Sequence, residues 1–288
     1  MNVTKMLLIC FALAMPLSCG DDDSGTPDVT GDDGGDVAAD ADADVTPEVE
    51  ADVPEETGET PTCSADQTDN FVNLAGLVTP LGGTDAGGLF LAAADPISAL
   101  VGTPTILATT TTNADGTWHM DCVDVTDVAI GLIVMADDDP ADGVAGDFFP
   151  TLTGVTAWDT EGYADKLEAP VFALTNTLSG GIAALTGIDP EGDGIVMGIV
   201  VDGTHAPLAG ATIERSGAGT PLTFAYPTAD FTGLMDPAAT SASGIWVMTD
   251  VLTGLTNVTA TLAPHTFDIH PAANVAGNCY FLPFIATE

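Results

Sequence analysis

The stretch Gly244-Ile245-Trp246-Val247-Met248 decides the fold prediction, because it recurs earlier in the chain as Gly116-Thr117-Trp118-His119-Met120. Both stretches read Gly-x-Trp-x-Met, and they lie 244 − 116 = 128 residues apart. Each follows a small polar turn and opens a run of alternating polarity, which is typical of a half-buried β-strand. The sequence therefore predicts two copies of one β-module, with Trp118 and Trp246 as equivalent core anchors.

The segments around the first copy predict further strands and turns at the spacing of a β-sandwich. Asn113-Ala114-Asp115-Gly116 is a hairpin signal, since Asp-Gly readily takes the positive φ angles of tight turns. The strands expected there cover residues 71–79, which end at Pro80, and residues 105–112, 117–125 and 128–135. On the third of these strands, Trp118, Met120 and Cys122 are expected to share one face.

One helix is expected over residues 167–186, between the two modules. Pro170 falls in its first turn, and Gly187 suits its C-terminal cap. Its apolar stripe recurs at spacings of four, four and three, and consists of Leu174, Leu178, Ile182 and Leu185. We expect this amphipathic helix to pack on a sheet or to fill the junction between the modules.

The charge of the chain excludes several classes of partner. The 288 residues include 43 Asp and Glu against three Lys and Arg, for a formal net charge of −40. Nucleic-acid binding needs basic side chains to displace counterions from phosphates, so that class is excluded. Binding to an anionic membrane surface through protein charge is excluded for the same reason. Salt or divalent cations would screen the self-repulsion of such a chain.

The N-terminus reads as an export signal. Lys5 supplies the positive start, and the apolar residues 6–15 are too few to span a bilayer. The segment Pro16-Leu17-Ser18-Cys19-Gly20 then resembles a bacterial lipobox, although that pattern prefers Leu where Pro16 stands. The resemblance implies cleavage before Cys19, lipidation of its thiol and a membrane contact made by acyl chains. Ordinary signal cleavage is the alternative.

Residues 20–61 are low in complexity and contain neither Leu nor an aromatic residue. They cannot bury enough apolar area to offset chain entropy, so a disordered acidic tether is predicted. Calcium capture by its carboxylates is the alternative, though isolated carboxylates bind calcium weakly. The expected domains are residues 1–18 for the signal peptide, 19–62 for the tether, 63–165 for the first β-sandwich, 166–190 for the linker helix and 191–288 for the second β-sandwich.

Three motifs in the second module carry a family resemblance. They are Gly198-Ile199-Val200-Val201-Asp202-Gly203, Pro207-Leu208-Ala209-Gly210-Ala211-Thr212-Ile213 and Ser243-Gly244-Ile245-Trp246. Together with a strand at residues 258–262, they resemble the carboxypeptidase regulatory-like domain. The resemblance implies a seven-stranded, prealbumin-like β-sandwich, which is an appendage of zinc peptidases and lacks their catalytic domain.

The first module matches that pattern at fewer positions, namely Gly76-Leu77-Val78 and the Gly-x-Trp-x-Met strand. The two landmarks lie 116 − 76 = 40 residues apart in the first module and 244 − 198 = 46 residues apart in the second. We therefore expect six extra residues in the second module, around residues 220–239. The whole fold is predicted to be all-β, with two prealbumin-like or Ig-like sandwiches joined by one helix.

Two acidic segments are candidates for calcium binding. Several oxygens in one short loop can coordinate Ca²⁺, and the densest such cluster is Asp137, Asp138, Asp139, Asp142 and Asp147. A solvated turn is the favoured alternative, because the spacing matches no fixed calcium loop. The segment from Asp189 to Gly194 resembles the first half of an EF-hand loop. Val200 stands where the bidentate Glu should be, so a plain turn is expected there.

Histidines and cysteines offer the other candidate chemistry. His265, Asp268 and His270 have side chains that ligate zinc or copper, with His119-Met120 as a further soft ligand. Scattered surface or turn histidines are the favoured alternative. Beyond Cys19, the remaining cysteines of an exported chain are Cys63, Cys122 and Cys279, and one pair should form a disulfide. Cys63–Cys122 is favoured, and Cys63–Cys279 is the alternative.

These features predict a non-enzymatic lipoprotein of the bacterial outer membrane or cell surface, anchored at Cys19. Its modules would act as structural, adhesive or ligand-binding units. One alternative is a calcium-stabilised protein that binds a glycan or an envelope protein, with residues 137–147 as the metal loop. The other is a metal-dependent hydrolase that uses His265, Asp268 and His270. For Trp118 and Trp246, the alternative to a core position is an exposed sugar-stacking platform.

Overall fold

Two seven-stranded β-sandwich repeats make up most of the chain in a computed structural model, which describes residues 71–83, 85–128, 131–141, 143–155, 164–166 and 169–287. The described residues belong to one compact unit. The all-β prediction is confirmed. The signal peptide, the tether, Cys19 and Cys63 lie outside the described residues.

The first repeat contains seven main strands, one short helix and two very short strands. In chain order they are β1 (Phe71–Leu81), β2 (Phe90–Ala94), α1 (Pro96–Leu100), β3 (Ile106–Thr111), β4 (Thr117–Asp124), β5 (Leu132–Asp137), β6 (Phe148–Phe149), β7 (Thr151–Val155), β8 (Ala164–Lys166) and β9 (Val171–Thr175). One layer has β1 between an antiparallel β4 and a parallel β9, and the other has the antiparallel order β3-β2-β5-β7. Their facing sides enclose a core that includes Leu74, Leu91, Trp118 and Leu132.

The second repeat follows helix α2 (Asn176–Thr186). Its strands are β10 (Ile195–Val201), β11 (Thr212–Arg215), β12 (Phe224–Ala225), β13 (Ile245–Met248), β14 (Thr256–Thr261), β15 (His270–Ala272) and β16 (Cys279–Ile285). Here β10 lies between an antiparallel β13 and a parallel β16, and the other layer is β11-β14-β15. Apart from β3, β12 and the very short strands β6 and β8, the pairing scheme is the same as in the first repeat.

The two tryptophan strands hold the same register. Trp118 is paired with Gly76 across β4 and β1, and Trp246 is paired with Gly198 across β13 and β10. A Cβ atom at Gly198 would lie 1.9 Å from the Leu282 carbonyl oxygen. A Cβ atom at Gly76 would lie 2.4 Å from a carbonyl oxygen in the corresponding place beside β1. Both positions therefore require glycine for the same reason, which is close approach of a neighbouring backbone.

A buried threonine closes each repeat in the same way. The Thr112 Oγ1 donates a hydrogen bond to the Ala86 carbonyl oxygen at 2.5 Å and accepts one from the Leu89 backbone N–H at 2.8 Å. The Thr112 N–H donates to the Leu89 carbonyl oxygen at 2.9 Å. The hydroxyl thus joins the turn before β2 to the turn before β4, and it satisfies two backbone groups that would otherwise be buried without partners.

Thr240 makes the same three bonds in the second repeat. Its Oγ1 donates to the Leu208 carbonyl oxygen at 2.7 Å and accepts from the Ala211 N–H at 2.9 Å, and its own N–H donates to the Ala211 carbonyl oxygen at 2.8 Å. Ala211 follows Leu89 by 211 − 89 = 122 residues, but Thr240 follows Thr112 by 240 − 112 = 128 residues. The six extra residues of the second repeat therefore lie between positions 211 and 240, in agreement with the sequence comparison.

The repeats share a sheet. Strand β16 of the second repeat pairs in parallel with β7 of the first, so that eight strands follow the order β12-β13-β10-β16-β7-β5-β2-β3. As a result β10 and β16 are covered on both faces, and all seven residues of β10 are buried. This burial explains their continuous apolar sequences. The domain boundaries at residues 165 and 191 stay a prediction.

The linker helix is shorter than predicted. The segment up to Thr175 forms β9, so Leu174 belongs to a strand and Pro170 precedes it, because pairing with β1 outweighs the helical spacing of the apolar residues. The Thr175 Oγ1 accepts a hydrogen bond from the Leu178 N–H and caps α2. Gly187 ends the helix with φ at 78°, as predicted. Ile182 is fully buried against β10, β13 and β16, so the helix does fill the junction.

Three strand predictions need correction. Strand β1 continues through Pro80, since a parallel neighbour pairs with it there. The predicted 128–135 strand is β5, which begins at Leu132 and ends at Asp137. Cys122 does not continue the buried face of β4, because a β-bulge places it at φ 55° opposite Asn73, whose Oδ1 accepts its N–H. Neither of the two helices described is long and apolar enough to cross a membrane.

Candidate functional site

An apolar groove of about 340 Å³ opens where the two repeats meet. Ile97 and Val101 line it from the first repeat, and from the second it is lined by Leu252, Thr253, Gly254, Leu255, Ala273 and Asn274. Among the described residues no lining side chain is charged, in a chain whose formal net charge is −40. Val101, Leu255 and Ile97 are exposed by 69%, 60% and 55%. Clustered exposed apolar side chains mark interaction sites on soluble proteins.

Hydrogen bonds hold α1 in position on the first side of the groove. The Asp95 Oδ2 accepts the Ser98 N–H at 2.8 Å, and Pro96 occupies the first turn. The Ser98 Oγ donates to the Asp95 carbonyl oxygen at 2.8 Å and accepts the Thr105 N–H at 2.9 Å. The five-residue helix is thereby tied at both ends, and the exposure of its apolar side chains is part of a fixed structure.

Asn274 holds the opposite side of the groove. Its Oδ1 accepts the Leu252 N–H at 2.8 Å, and its Nδ2 donates to the Gly194 carbonyl oxygen at 3.4 Å. These bonds fix residues 251–255 beside strand β15. Val251 and Leu255 on this segment are exposed by 52% and 60%. The groove therefore has ordered walls, which lowers the entropic cost of binding.

A smaller groove of about 170 Å³ lies on the other side of α1. Ala99 and Ile106 line it from the first repeat, and Val275 and Ala276 line it from the second. The part of its lining that the structure describes also lacks charged side chains. Helix α1 therefore separates two neutral depressions, both of which are shared by the repeats.

The acidic segment after β5 is a closed turn. Asp137 is buried at the end of β5, and the Asp138 Oδ2 accepts the Asp147 N–H at 2.6 Å. The Asp139 Oδ1 accepts the Ala141 N–H at 2.9 Å. Asp142 lies outside the described residues. In the described part of the chain, no three His, Cys, Asp or Glu side chains are grouped to hold a metal ion. Calcium binding by this segment stays a prediction.

Asn176 closes the same segment from helix α2. Its Nδ2 lies 2.8 Å from the Gly146 carbonyl oxygen and within 3.2 Å of the carbonyl oxygens of Val144 and Phe148. The Asn176 N–H also donates to the Asp147 carbonyl oxygen at 2.9 Å. Side-chain amide bonds to backbone carbonyls are therefore what hold this turn against the start of α2.

The EF-like segment is a turn that leads into β10. The Asp189 Oδ1 accepts the Gly192 N–H at 3.1 Å, and the Asp193 N–H donates to the Asp189 carbonyl oxygen at 2.8 Å. The first acidic residue therefore bonds its own turn, as the favoured prediction expected.

The histidines lie at separate places. His119 is exposed, with Nε2 3.8 Å from a carboxylate oxygen of Asp121. His270 packs edge-on against Phe284 with 5.1 Å between ring centroids, and burial lowers its pKa while the Asp268 charge partly opposes that shift. His265 faces Phe267 at 6.3 Å. Among the described residues the predicted trio of His265, Asp268 and His270 forms no metal-binding group.

Many carboxylates cap turns. One hydrogen-bonding pattern repeats in an Asp-x-Thr sequence, in which the carboxylate accepts hydrogen bonds from the Thr hydroxyl and N–H two positions later. The pKa of each of these Asp side chains is lowered, chiefly by side-chain hydrogen bonds from threonine, and they are Asp115, Asp124, Asp202 and Asp230. Part of the acidic composition therefore serves local structure.

The structure buries both tryptophans. Trp118 and Trp246 are 3% and 0% exposed, so the alternative of exposed sugar-stacking platforms is wrong. Cys279 is a buried free thiol, so the Cys63–Cys279 alternative is wrong as well. Cys122 is disulfide-bonded. The pairing of Cys122 with Cys63 stays a prediction, because Cys63 lies outside the described residues.

Sequence reasoning missed the groove. A local signal exists for α1, because Asp95-Pro96 followed by Ser98 is a helix start, and Ile97 and Val101 are four residues apart. Nothing local indicates that Leu255, more than 150 residues later, lies across from them. The groove arises only when the two repeats pack together.

No protein-family model matches the sequence, and no curated protein matches it. Among solved structures, the shaft pilin SpaA from Lactobacillus rhamnosus GG is 11% identical with a TM-score of 0.24, over 76% of this chain and 98% of that one. The minor pilin GBS52 from Streptococcus agalactiae is 12% identical with a TM-score of 0.24, over 76% and 97%. The Bacillus anthracis TIE protein is 10% identical with a TM-score of 0.24, over 76% and 34%.

Proposed function

We propose that this chain is a non-enzymatic exported lipoprotein, anchored at Cys19, whose joined β-sandwiches act as a structural and ligand-binding unit at the cell envelope. The neutral apolar groove between the repeats carries this proposal. Its volume of about 340 Å³ lies within the range of small-ligand sites. The partner we propose is a glycan or an envelope protein that presents an uncharged apolar group to the groove.

The chemistry of the groove supports an apolar group. Val101 and Leu255 offer branched aliphatic surface from opposite walls, and the lining also contains the polar side chains of Thr253 and Asn274. Covering such surface stabilises a complex by roughly 25 cal/mol per Å². A carboxylate ligand would be repelled by the charge of the whole chain.

Binding of the neutral dye Nile red to the full chain tests the groove. We expect Val101→Asp and Leu255→Asp each to weaken dye binding by about tenfold, which corresponds to about 1.4 kcal/mol. Leu234→Asp is the matched control, because Leu234 is 46% exposed and lies outside the groove lining. Equal weakening by all three variants would contradict a site at the groove.

Metabolic labelling with a palmitate analogue tests the anchor. We expect the full chain to take up the label and to fractionate with membranes, and Cys19→Ser to lose both properties, since the acyl chains would make the membrane contact. A Cys19→Ser variant that is still labelled would place the lipid elsewhere.

Calcium binding by the acidic turn is the second candidate. The observation that favours it is Asp138 Oδ1, which is buried and has no hydrogen-bond partner among the described residues. This candidate predicts that Ca²⁺ raises the midpoint of thermal unfolding over its value in EDTA, and that Asp138→Asn removes the difference. The same midpoint of thermal unfolding in Ca²⁺ and in EDTA would contradict calcium binding by this turn.

A further inference from the structure

Strand β3 is the edge of the eight-stranded sheet, and its edge differs from the others described. Natural sheets protect their edges with charge, proline, bulges or short strands. Strand β11 carries Glu214 and Arg215, β15 has three residues including Pro271, and β12 has two residues. Strand β4 carries two aspartates and the bulge at Cys122.

Of these protections β3 has only an irregularity at Leu107, where its register with β2 shifts. Its six residues Ile106–Thr111 contain no charge and no proline, and no charged residue occurs anywhere in residues 96–113. Within the described residues β3 pairs with β2 alone. In an antiparallel pair every second residue directs its backbone N–H and C=O away from the partner, so β3 presents a free row of these groups. Ile106, Thr109 and Thr111 on this strand are exposed.

We infer that β3 pairs edge to edge with β3 of a second copy of this chain, about a two-fold axis, so that the two eight-stranded sheets become continuous. Such pairing would satisfy the free backbone groups of both strands and set their threonines opposite one another. Self-association deepens the structural role proposed above and rests on it.

Charge argues for a second copy rather than a basic partner. A basic partner needs carboxylates to bind, and residues 96–113 supply none. A copy of β3 brings a neutral edge against a neutral edge, and a two-fold interface uses the same patch on both subunits.

The net charge of the chain determines whether salt strengthens or weakens self-association. Two chains of charge −40 repel one another at long range, while the paired edge itself is neutral. The Debye length falls from about 30 Å at about 0.01 M salt to about 3 Å at about 1 M. Self-association should therefore strengthen with salt, whereas binding of a basic partner should weaken.

Sedimentation equilibrium of the full chain, with detergent micelles in excess over protein, tests the inference. We expect a monomer–dimer equilibrium whose dissociation constant is at least about tenfold lower at about 1 M salt than at about 0.01 M. A monomer under both conditions overturns the inference, and so does a dimer that salt weakens.

Variants locate the interface. We expect Thr109→Glu and Thr111→Glu each to raise the dissociation constant by about tenfold or more, since each variant would bring two like charges close together about the two-fold axis. Thr212→Glu is the matched control on β11, an exposed threonine on an edge that is already charged. A dimer unaffected by both β3 variants overturns the inference. The readout is mass, so dye binding in the groove and self-association can fail separately.

Discussion

The segment between the second and fourth strands joins a different layer of the sandwich in each repeat. In the first repeat it forms α1 and β3, and β3 extends the sheet that contains β2. In the second repeat it forms β12, which pairs with β13 in the opposite layer. The glycine–tryptophan pair and the buried threonine are common to both repeats, but this segment is not. Its path through the first repeat creates one wall of the groove and the neutral edge.

The same difference changes the surroundings of the two tryptophans. Trp246 has Phe224 of β12 at 5.9 Å and Phe284 at 5.7 Å between ring centroids. Trp118 packs in a cluster of mainly aliphatic side chains. The two tryptophans therefore occupy the same register position but have different packing. We expect the stability of the second repeat to depend more strongly on its tryptophan side chain than that of the first.

The largest expected effect comes from truncating these side chains. We expect Trp246→Ala to lower the free energy of unfolding by about 4–5 kcal/mol and Trp118→Ala by about 3 kcal/mol, measured by urea unfolding. Trp246→Phe is the control, because it keeps the ring contacts and removes an indole N–H that has no acceptor among the described residues. Equal losses in the two Ala variants would remove the distinction between the repeats.

Substitution of the glycines that pair with the two tryptophans should also destabilise the second repeat more than the first. Gly198→Ala places a methyl group 1.9 Å from one backbone oxygen, against 2.4 Å for Gly76→Ala. We expect losses of about 3 and about 2 kcal/mol in the free energy of unfolding. At Gly203 the nearest atom to an added Cβ is 3.7 Å away, so Gly203→Ala serves as control with little change. A harmless Gly198→Ala would show that β16 can move away from β10.

Loss of the buried threonine hydroxyl should lower the free energy of unfolding by the same amount in both repeats. We expect Thr112→Val and Thr240→Val each to destabilise by about 1–3 kcal/mol, because each leaves a buried backbone N–H and C=O without a partner. Thr212→Val, on an exposed position of strand β11, is the control. Thermal unfolding of the three variants is the measurement, and a large difference between the first two would contradict their equivalence.

The smallest expected effect is confined to the second repeat and depends on pH. Burial holds the pKa of His270 below its ordinary value of 6.5, so the unfolded chain binds a proton there that the folded chain does not. Protonation of His270 therefore has little effect on the free energy of unfolding above about pH 6.5, and it lowers that free energy as the pH drops below this value. We expect His270→Phe to flatten the unfolding midpoint between pH 7 and pH 5. An unchanged slope in that variant would assign the pH effect to another group.

The local parts of this fold could be read from the sequence, and their success has a common cause. Gly116 and Gly244, at φ 80° and 70°, start the two tryptophan strands as the turn chemistry predicts. The apolar period of the β4 strand failed only at Cys122, where a bulge interrupts it. Strand β9 was mistaken for helix, because its apolar residues also fit a helical spacing and only its pairing with β1 distinguishes the two.

The candidate site could not be read in the same way. The sequence indicates a candidate site from Asp137 to Asp147 because a cluster of carboxylates is a recognisable set of metal ligands. The groove, in contrast, consists mainly of aliphatic residues from distant segments. The groove is distinguished by the absence of charged residues from its described lining and by the segments of the two repeats that meet there. Such features belong to packing between the repeats and leave no motif.

The sequence by itself determined the β-class of this protein, its internal repeat, its turns and its acidic charge, since each depends on residue type and short-range spacing. The tertiary structure decided that the two repeats join through β7 and β16, that β3 and β12 join different layers of their own repeats, and that a neutral groove and edge result. The physical reason is that a strand's own residues specify its periodicity, while its choice of neighbour is set by the apolar surface and free backbone groups that distant segments bring to it.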